Sequence, residues 1–364
     1  MVRMGTRSIL TTAVLAWSED ARGQAPVPIA EAGVSDARGL SNTMNPAISL
    51  VGQVMGSGSS ARQDPEGEQD GLGTGLSVPE VELALAGIVD PYFRADVFVA
   101  FEDLEGVAVE EAYVTTLALP VLTLRAGKFK AVFGKHNAWH SHLWPFVDGP
   151  LVHAALLGEE GLADPGVEAA VLFPTPWFLE LTLEALDGSS EKLFASIEPF
   201  DLAYVAHLRS LWELGAASTF ELGGSGALGQ NFRGEATKVA GVDATFRWRP
   251  PSRAVYRSLQ VQGEYLVARD RPDDPADMGG VVGLVRWQFA RRWWAQARHD
   301  FLGLPRPSGT DPAQRTTGLV AFVPTEFSVL RLQYSFVQAR QAPDFHEVAL
   351  HLGFLIGSHP AHPY

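Results

Sequence analysis

Three features are absent from the sequence or scarce in it, and each absence narrows the class of protein. It contains no cysteine, which excludes disulfide bonds and thiolate metal sites. Charged residues make up only 19% of the 364 residues, below the roughly 25% that is typical of soluble domains. No run of about 18 apolar residues is present, so no helix of this sequence is predicted to span a membrane. Because the hydrophobic fraction is still 46%, the chain forms either a large soluble core or a β-barrel with its apolar face turned outward.

The net charge of the chain is −14, from 28 basic and 42 acidic residues with histidine counted as neutral. An excess of negative charge argues against a nucleic-acid partner, because phosphate backbones attract basic surfaces. Part of the excess lies in a predicted loop that contains Asp64, Glu66, Glu68 and Asp70. The net charge therefore does not by itself decide which ions an interior channel would prefer.

The N-terminus has the pattern of a secretory signal. Arg3 and Arg7 precede an apolar segment at 8–17, and Gly23-Gln24-Ala25 places small residues at the two positions that a signal peptidase reads. We therefore predict a signal peptide at residues 1–25 and a periplasmic linker at 26–44. A disordered N-terminal tail is the alternative interpretation of this segment.

Strand-like segments follow from Ala47 onward, and most are close to the ~9–11 residues that a tilted strand needs to cross a bilayer. The alternation of apolar and polar residues is clearest at 177–186, 254–268 and 345–356. Sixteen such segments are predicted, near 47–55, 78–89, 92–102, 107–118, 121–130, 166–173, 177–186, 202–212, 215–222, 238–248, 254–268, 280–289, 293–301, 316–323, 326–337 and 345–356.

The lengths of the connections favour a membrane barrel over a soluble β-sandwich. Tight turns such as Asp90-Pro91 and Leu119-Pro120 alternate with long connections, most of them polar, including 131–165 and 223–237. Gly223-Gly224-Ser225-Gly226 in the second of these indicates flexibility. Aromatic residues recur at the segment ends, as in interfacial girdles. We predict an all-β, antiparallel up-and-down transmembrane barrel of about 16 strands over residues 45–364, closed because every backbone donor in lipid needs a partner.

In each predicted strand, the alternate positions that carry polar side chains are assigned to the lumen of the barrel. A barrel of about sixteen strands leaves an aqueous channel unless something fills it. The predicted pore-lining residues are Arg94, Asp96, Glu180, Glu184, Arg209, Asp243, Arg247, Glu264, Arg286, Arg298 and Arg331. This assignment also places Arg125, Asp300 and Glu347 inside, and basic and acidic side chains then balance at seven each.

The stretch from 131 to 165 is the longest connection, and it is too apolar for a disordered linker. We expect it to fold into the lumen and to narrow it. Rings of Lys and Arg select anions in pores, so the basic approach to this loop suggests an anion preference. Solvation near headgroups, or pairing with acidic loops, is the alternative role for these side chains. The predicted pore-constriction residues are Arg125, Lys128, Lys130, Lys135, His136, His140 and His142.

The histidines of the same loop offer a second interpretation. His140-Ser141-His142 could supply two zinc ligands from one extended segment, with His136 and His153 nearby and His359 and His362 at the C-terminus. No specific metal-binding spacing is present, however, and no Ser or Asp is singled out beside a histidine for hydrolysis. We therefore predict no metal, no cofactor and no enzymatic activity.

The segment from Ala112-Tyr113 to Gly134 resembles the phosphate-selective porin family of the outer membrane. The resemblance is carried by the Ala-Tyr pair, the Leu119-Pro120 turn and the segment Leu-Arg-Ala-Gly-Lys-Phe-Lys-Ala-Val-Phe-Gly at 124–134. Val132 stands where that family usually has proline. The resemblance implies a sixteen-stranded porin, often trimeric, whose third extracellular loop folds inward.

These observations predict an outer-membrane porin that passes small hydrophilic solutes, with anions as one candidate class. Its expected partners are outer-membrane lipids, the permeating solutes and further copies of the chain in a trimer. Two other functions remain open at this stage. One is a metal- or substrate-binding barrel in which the His-rich loop is the ligand site, and the other is a structural barrel that the loop seals.

Overall fold

The computed structural model describes most of the chain after residue 45. The described residues are 46–61, 71–102, 106–158, 160–190, 192–195, 198, 201–254, 256–272, 276–306, 312–339 and 343–357. The predicted signal peptide and periplasmic linker lie outside the described residues, as do His359 and His362.

The described chain is built almost entirely from strands. One short helix, α1 (Leu151–Leu157), lies in the connection between β6 and β7. The strands are β1 (Ala47–Ser59), β2 (Gly75–Ser77), β3 (Glu80–Ile88), β4 (Phe93–Glu102), β5 (Ala108–Thr116), β6 (Leu122–Lys130), β7 (Ala163–Leu172), β8 (Phe178–Leu186), β9 (Ser189–Ser190), β10 (Phe194–Ala195), β11 (Ala203–Glu213), β12 (Ser218–Gln230), β13 (Ala236–Trp248), β14 (Ser258–Arg269), β15 (Met278–Ala290), β16 (Trp293–Leu304), β17 (Ala313–Thr325), β18 (Ser328–Ala339) and β19 (Phe345–Gly357).

Sixteen of these strands form one closed antiparallel sheet, which confirms the predicted fold class. The first strand closes the ring, because β1 pairs with β19 on one side and with β3 on the other. The short β2 also pairs with β1, where it continues the line of β3. The strands β9 and β10 pair only with each other, within the connection from β8 to β11. Closure gives each of these sixteen described strands a neighbour on both sides, as a sheet in lipid requires.

The outer face of the barrel is apolar. In β15, for example, Val281, Val285 and Trp287 are exposed, whereas the alternate residues Val282 and Leu284 are buried toward the interior. Exposed aromatic side chains lie near the strand ends, as expected at membrane interfaces. They include Tyr92, Phe93, Trp177, Tyr256, Trp293 and Phe327. Among the described residues, no helix has the length and apolar character needed to cross a membrane.

One predicted boundary is wrong. The glycine-rich stretch 223–226 was assigned to a flexible loop, but it lies inside β12, paired with 240–243 of β13 and with 206–209 of β11. The connection near Leu214 is a tight turn in which the Leu214 amide donates to the Ser218 carbonyl oxygen at 2.8 Å. Glycine is poor in strand propensity, but the neighbouring strands supply ladder partners on both sides, and this tertiary pairing outweighs the local preference.

The connection between β6 and β7, residues 131–162, folds into the barrel. We call this segment the inner loop. Its side chains Phe133, Val152 and Leu156 are buried against barrel residues that include Leu266 and Val239. A second apolar cluster joins Phe146 to Leu284, Trp294 and Leu319 of the wall. The predicted inward course of the long third loop is therefore confirmed, and the hydrophobic core lies inside the barrel at the inner loop.

The apolar outer face makes a direct prediction for Val285, which lies near the middle of β15. Val285→Arg should lower the free energy of unfolding from lipid vesicles by about 2–4 kcal/mol, because a cation is costly in the hydrocarbon layer. Leu214→Arg, at an exposed turn, should cost ~0–1 kcal/mol and is the control. Urea titration followed by tryptophan fluorescence measures both. Equal costs would place Val285 outside the hydrocarbon layer.

Candidate functional site

The inner loop is fastened to one wall of the barrel through Asp148. Arg298 of β16 donates to the Asp148 carboxylate at 2.9 Å, and Gln333 of β18 donates to it at 2.7 Å. Arg315 of β17 forms an ion pair with the same carboxylate. Burial alone would raise the pKa of Asp148, but the two arginines lower it below its usual value. Asp148 therefore remains charged and holds three adjacent strands.

The start of the inner loop is fastened to other strands of the wall. The Val132 amide donates to Glu184 of β8 at 2.9 Å, and the Gly134 amide donates to Ser225 of β12 at 2.8 Å. Gly134 has a φ of 64°, and a side chain there would collide with the Glu264 carboxylate. Only glycine fits this close approach of the loop backbone to the wall.

Lys135 follows in this segment and forms a buried ion pair with Glu221 of β12. Its backbone amide donates to Glu264 of β14 at 3.0 Å. Burial lowers the pKa of Lys135 even though Glu221 acts in the opposite direction. The lysine thus serves as a second anchor of the loop to the wall.

A bulge in β5 creates an acidic pocket in a third part of the wall. Pairing of β5 with β4 passes from Glu111 opposite Phe98 to Val109 opposite Val99, so Glu110 has no partner in the ladder. Such an extra residue reorients the side chains around it. As a result the side chains of Glu110 and Glu111 both reach His140 of the inner loop. On its other side β5 pairs with β6 at only four positions, residues 112–115, all of which follow Glu111 in the chain.

His140 lies among three carboxylates. Its Nδ1 atom is 2.8 Å from Oε2 of Glu110 and 2.8 Å from Oε2 of Glu82 in β3, and its Nε2 atom is 2.8 Å from Oε2 of Glu111. Burial opposes protonation, but the carboxylates outweigh burial and hold the pKa of His140 well above its usual value. The imidazolium form therefore accounts for the short contacts at both ring nitrogens.

His142 lies next to this cluster, on a short 3₁₀ turn at Ser141–Leu143. Its Nδ1 atom is 3.5 Å from Oε2 of Glu82 and 4.0 Å from Oε1 of Glu80. Two triads, Glu80-Glu82-His142 and Glu82-Glu110-His140, each hold their ligand-type atoms within 4.8 Å of one another. The structure thus brings together a combination of imidazole and carboxylate groups that transition metals bind.

His136 has a different environment, formed by rings. Its ring centroid is 5.0 Å from those of His153 and Trp144. Burial, together with His153 and nearby cations, holds the pKa of His136 well below its usual value. His153 itself lies 3.1 Å from Glu264. His136 is therefore neutral and packs as an aromatic residue.

The structure places six of the seven predicted constriction residues inside the barrel. Three of the cations are already paired, Arg125 with Glu168, Lys130 with Glu110 and Lys135 with Glu221. Lys128 instead lies on the face of β6 that carries the exposed Leu124, and its ammonium group donates to the Val109 carbonyl oxygen at 2.8 Å. A role for these residues in a constriction stays a prediction.

The predicted pore-lining residues lie on the inner side of the wall, most of them buried. Arg94 pairs with Asp96 at 2.8 Å, and Arg209 pairs with Glu180 at 3.0 Å. Several contact the inner loop directly, so they act as its anchors. The buried members are Arg94, Asp96, Glu184, Asp243, Glu264, Arg286, Arg298 and Arg331, and the partly exposed ones are Glu180, Arg209 and Arg247.

Sequence reasoning missed the acidic partners of the inner loop. Glu80 and Glu82 stand at alternate positions of β3, and this spacing is the signal that could have assigned both to the lumen. Glu110 and Glu111 are adjacent, so strict alternation puts only one of them inside, and the bulge that brings in both has no sequence signal. Asp148 and Arg315 were missed because the contact joins distant parts of the chain.

Comparison with known proteins gives one relative and a set of similar folds. No model of a known protein family matches the chain. Over 339 residues the chain is 32% identical to an uncharacterized protein of Aquifex aeolicus (strain VF5), which covers 80% of this chain and 70% of that protein. Membership in the phosphate-selective porin family therefore stays a prediction.

Three solved structures illustrate the shared fold. Salmonella typhi OmpF in complex with daunomycin has a TM-score of 0.57 at 9% identity, covering 87% of this chain and 99% of that one. The outer membrane channel DcaP of Acinetobacter baumannii has a TM-score of 0.56 at 11% identity, with coverages of 87% and 99%. The trimer form of OmpT, an outer membrane protein of Vibrio cholerae, has a TM-score of 0.56 at 9% identity, with coverages of 86% and 100%.

These likenesses establish a porin-like fold. A closed sixteen-stranded barrel with an apolar outer face is the architecture of bacterial outer-membrane proteins. We therefore assign the chain to the bacterial outer membrane.

Asp148 yields a test of how firmly the inner loop is held. Asp148→Asn keeps the shape but leaves the arginines around it less well compensated, so it should lower the free energy of unfolding by about 3 kcal/mol. Asp344→Asn is the control, because this exposed carboxylate accepts a hydrogen bond from Gln338 alone among the described residues. It should change the free energy of unfolding by less than about 0.5 kcal/mol. Guanidinium unfolding in vesicles measures both. A change as small as that of the control would show that Asp148 does not anchor the loop.

Proposed function

The chain belongs to the family of the uncharacterized Aquifex aeolicus protein and has a porin-like barrel fold, and from this premise we propose that it is an outer-membrane porin for small hydrophilic solutes. A sixteen-stranded barrel is wide enough to enclose an aqueous channel. The proposed channel works by passive diffusion, so it needs no covalent chemistry.

One observation carries this proposal above all others. The inner loop crosses the lumen, because charged and polar contacts hold it to β3 and β5, to β8, β12 and β14, and to β16, β17 and β18. A loop held in this way reduces the cross-section of the lumen at a fixed depth and surrounds the remaining passage with charge. Channel proteins set size and charge selectivity at such constrictions.

The ion pairs bear on the predicted anion preference. Three of the cations that approach the inner loop, Arg125, Lys130 and Lys135, have a carboxylate partner, and the wall adds further negative groups at Glu80, Glu82 and Glu111. Paired charges act weakly on a permeating ion, because the fields of the two partners largely cancel beyond short range. We therefore propose that any anion preference of the channel is weak.

A sealed structural barrel is the second candidate, and burial of the inner loop favours it. Phe133, Trp139 and Phe146 are each no more than 6% exposed, so apolar groups fill a large part of the cross-section. The two candidates differ in a measurable property, since a sealed barrel conducts no ions.

Assembly into trimers is a further part of the proposal, supported by the trimer form of the Vibrio cholerae OmpT neighbour.

Single-channel recording in planar bilayers tests the porin proposal. The folded wild-type protein should give discrete conductance steps. Asp148→Asn should increase either the single-channel conductance or the current noise of the open channel, because the inner loop loses an anchor. Asp344→Asn should behave as wild type. If well-folded, inserted protein gives no steps in any of the three forms, the porin proposal is wrong and the sealed barrel is supported.

The selectivity proposal is tested with two lysines of one strand. Lys130→Gln removes a buried interior charge beside Glu110 and should move the reversal potential in a KCl gradient toward cation preference. Lys128→Gln removes an equal charge from the face that carries Leu124 and should leave the reversal potential unchanged. A larger shift for Lys128→Gln than for Lys130→Gln would mean that the permeation path runs along the other face of β6.

A further inference from the structure

We propose that Glu80, Glu82 and His142 bind one divalent transition-metal ion of the zinc class, which fastens the inner loop to β3. Two of these ligands belong to the wall and one belongs to the loop, so the ion would join two segments about 60 residues apart in sequence. The binding site stands independently of transport, and only its consequence for conductance rests on the proposed function.

The distances at His142 fit ligands of one ion better than hydrogen bonds. Two ligands that each lie ~2.0–2.2 Å from an ion are about 3–4 Å from each other, depending on the angle between them. His142 Nδ1 is 3.5 Å from the Glu82 oxygen and 4.0 Å from the Glu80 oxygen. A hydrogen bond would require ~2.7–3.2 Å at favourable angles.

Glu82 is the second, independent observation. It is 0% exposed, its Oε2 atom lies 2.8 Å from Nδ1 of His140, and its Oε1 atom accepts no hydrogen bond from any residue that the structure describes. A buried carboxylate oxygen without such a partner is costly, because burial removes its hydration. Coordination of a cation supplies the compensation that hydrogen bonds do not. Glu82 belongs to both triads, so its carboxylate lies between His140 and His142.

Glu80 is oriented by the inner loop itself. The Ser141 hydroxyl donates to Oε2 of Glu80 at 2.6 Å and accepts from Gln53 of β1 at 2.8 Å. This chain of hydrogen bonds occupies one carboxylate oxygen and leaves Oε1 on the side of His142. Such outer contacts are what hold ligands in place at metal centres. Ser141 is therefore a positioning residue, not a ligand.

His140 is excluded as a ligand by its contacts. Its Nδ1 atom lies 2.8 Å from carboxylate oxygens of Glu82 and Glu110, and its Nε2 atom lies 2.8 Å from an oxygen of Glu111. Neither nitrogen is left for an ion unless these contacts break. His140 instead neutralises part of the acidic wall beside the site, and Lys130 neutralises Glu110 from the other side at 3.4 Å.

The ligand set indicates the class of ion. One imidazole and two carboxylates suit zinc and its first-row neighbours, whereas an all-oxygen set would suit calcium or magnesium. With three protein ligands, a fourth position is open to water or to a solute in the lumen, as at zinc sites that bind exogenous ligands. The same arrangement would make the position of the inner loop depend on metal.

Zinc binding to the folded, detergent-solubilised barrel tests the site. After treatment with EDTA, equilibrium dialysis against ZnCl₂ with metal analysis should give one zinc per wild-type chain. Glu82→Gln and His142→Ala should each weaken binding at least about tenfold, and Ser141→Ala should weaken it less, roughly tenfold at most. His346→Ala removes an exposed histidine that contacts Tyr334 and should bind as wild type.

Heat-modifiable gel mobility shows that each variant is folded, and Glu80→Gln replaces Glu82→Gln if the latter does not fold. Absence of stoichiometric zinc from the folded wild type overturns the proposal. The proposal is also overturned if Glu82→Gln and His142→Ala both bind zinc with wild-type affinity, or if His346→Ala is the one variant that loses binding.

Bilayer recording with and without zinc separates this inference from the proposed function. If the protein conducts, zinc should change the conductance of wild type but not that of His142→Ala. A barrel that binds one zinc yet never conducts keeps the metal site and rejects the porin. A barrel that conducts but binds no zinc keeps the porin and rejects the metal site.

Discussion

The need to pair every backbone amide and carbonyl group in lipid determines the architecture of this protein. A membrane-spanning sheet meets that need only when it closes, and here β1 closes it by pairing with β3 and β19. Closure turns the usual arrangement of a globular protein inside out. Apolar side chains such as Val285 and Leu350 face outward, and charged ones such as Asp243 and Arg298 face inward.

The inner loop then decides what the interior does. It brings its own apolar residues, including Phe133 and Phe146, into a lumen lined with charge, so the wall must supply partners for every charge that the loop buries. Asp148 with Arg298 and Lys135 with Glu221 are such partnerships. They fix the loop in place but leave few unpaired cations, which is why the basic run before the loop is a weak guide to ion preference.

Sequence patterns identified the strands well where hydrophobicity alternates strongly, as at 177–186 and 345–356. They were wrong at 223–226, because glycines that are poor strand formers by themselves are held there by ladders on both sides. The acidic pocket was missed for a related reason. Its residues come from β3 and β5 and from the loop, and a one-residue bulge at Glu110 decides that two consecutive glutamates reach the same histidine.

The sequence by itself determined the closed barrel, the side of most strands that faces the lumen and the inward course of the long loop. Those features follow from local hydrophobic periodicity and connection length, which a chain carries in its order of residues. Only the tertiary structure decided which charges neutralise each other and that His142 meets Glu80 and Glu82. Such contacts depend on strand register and on the path of a loop across the lumen, and neither is encoded in the spacing of neighbouring residues.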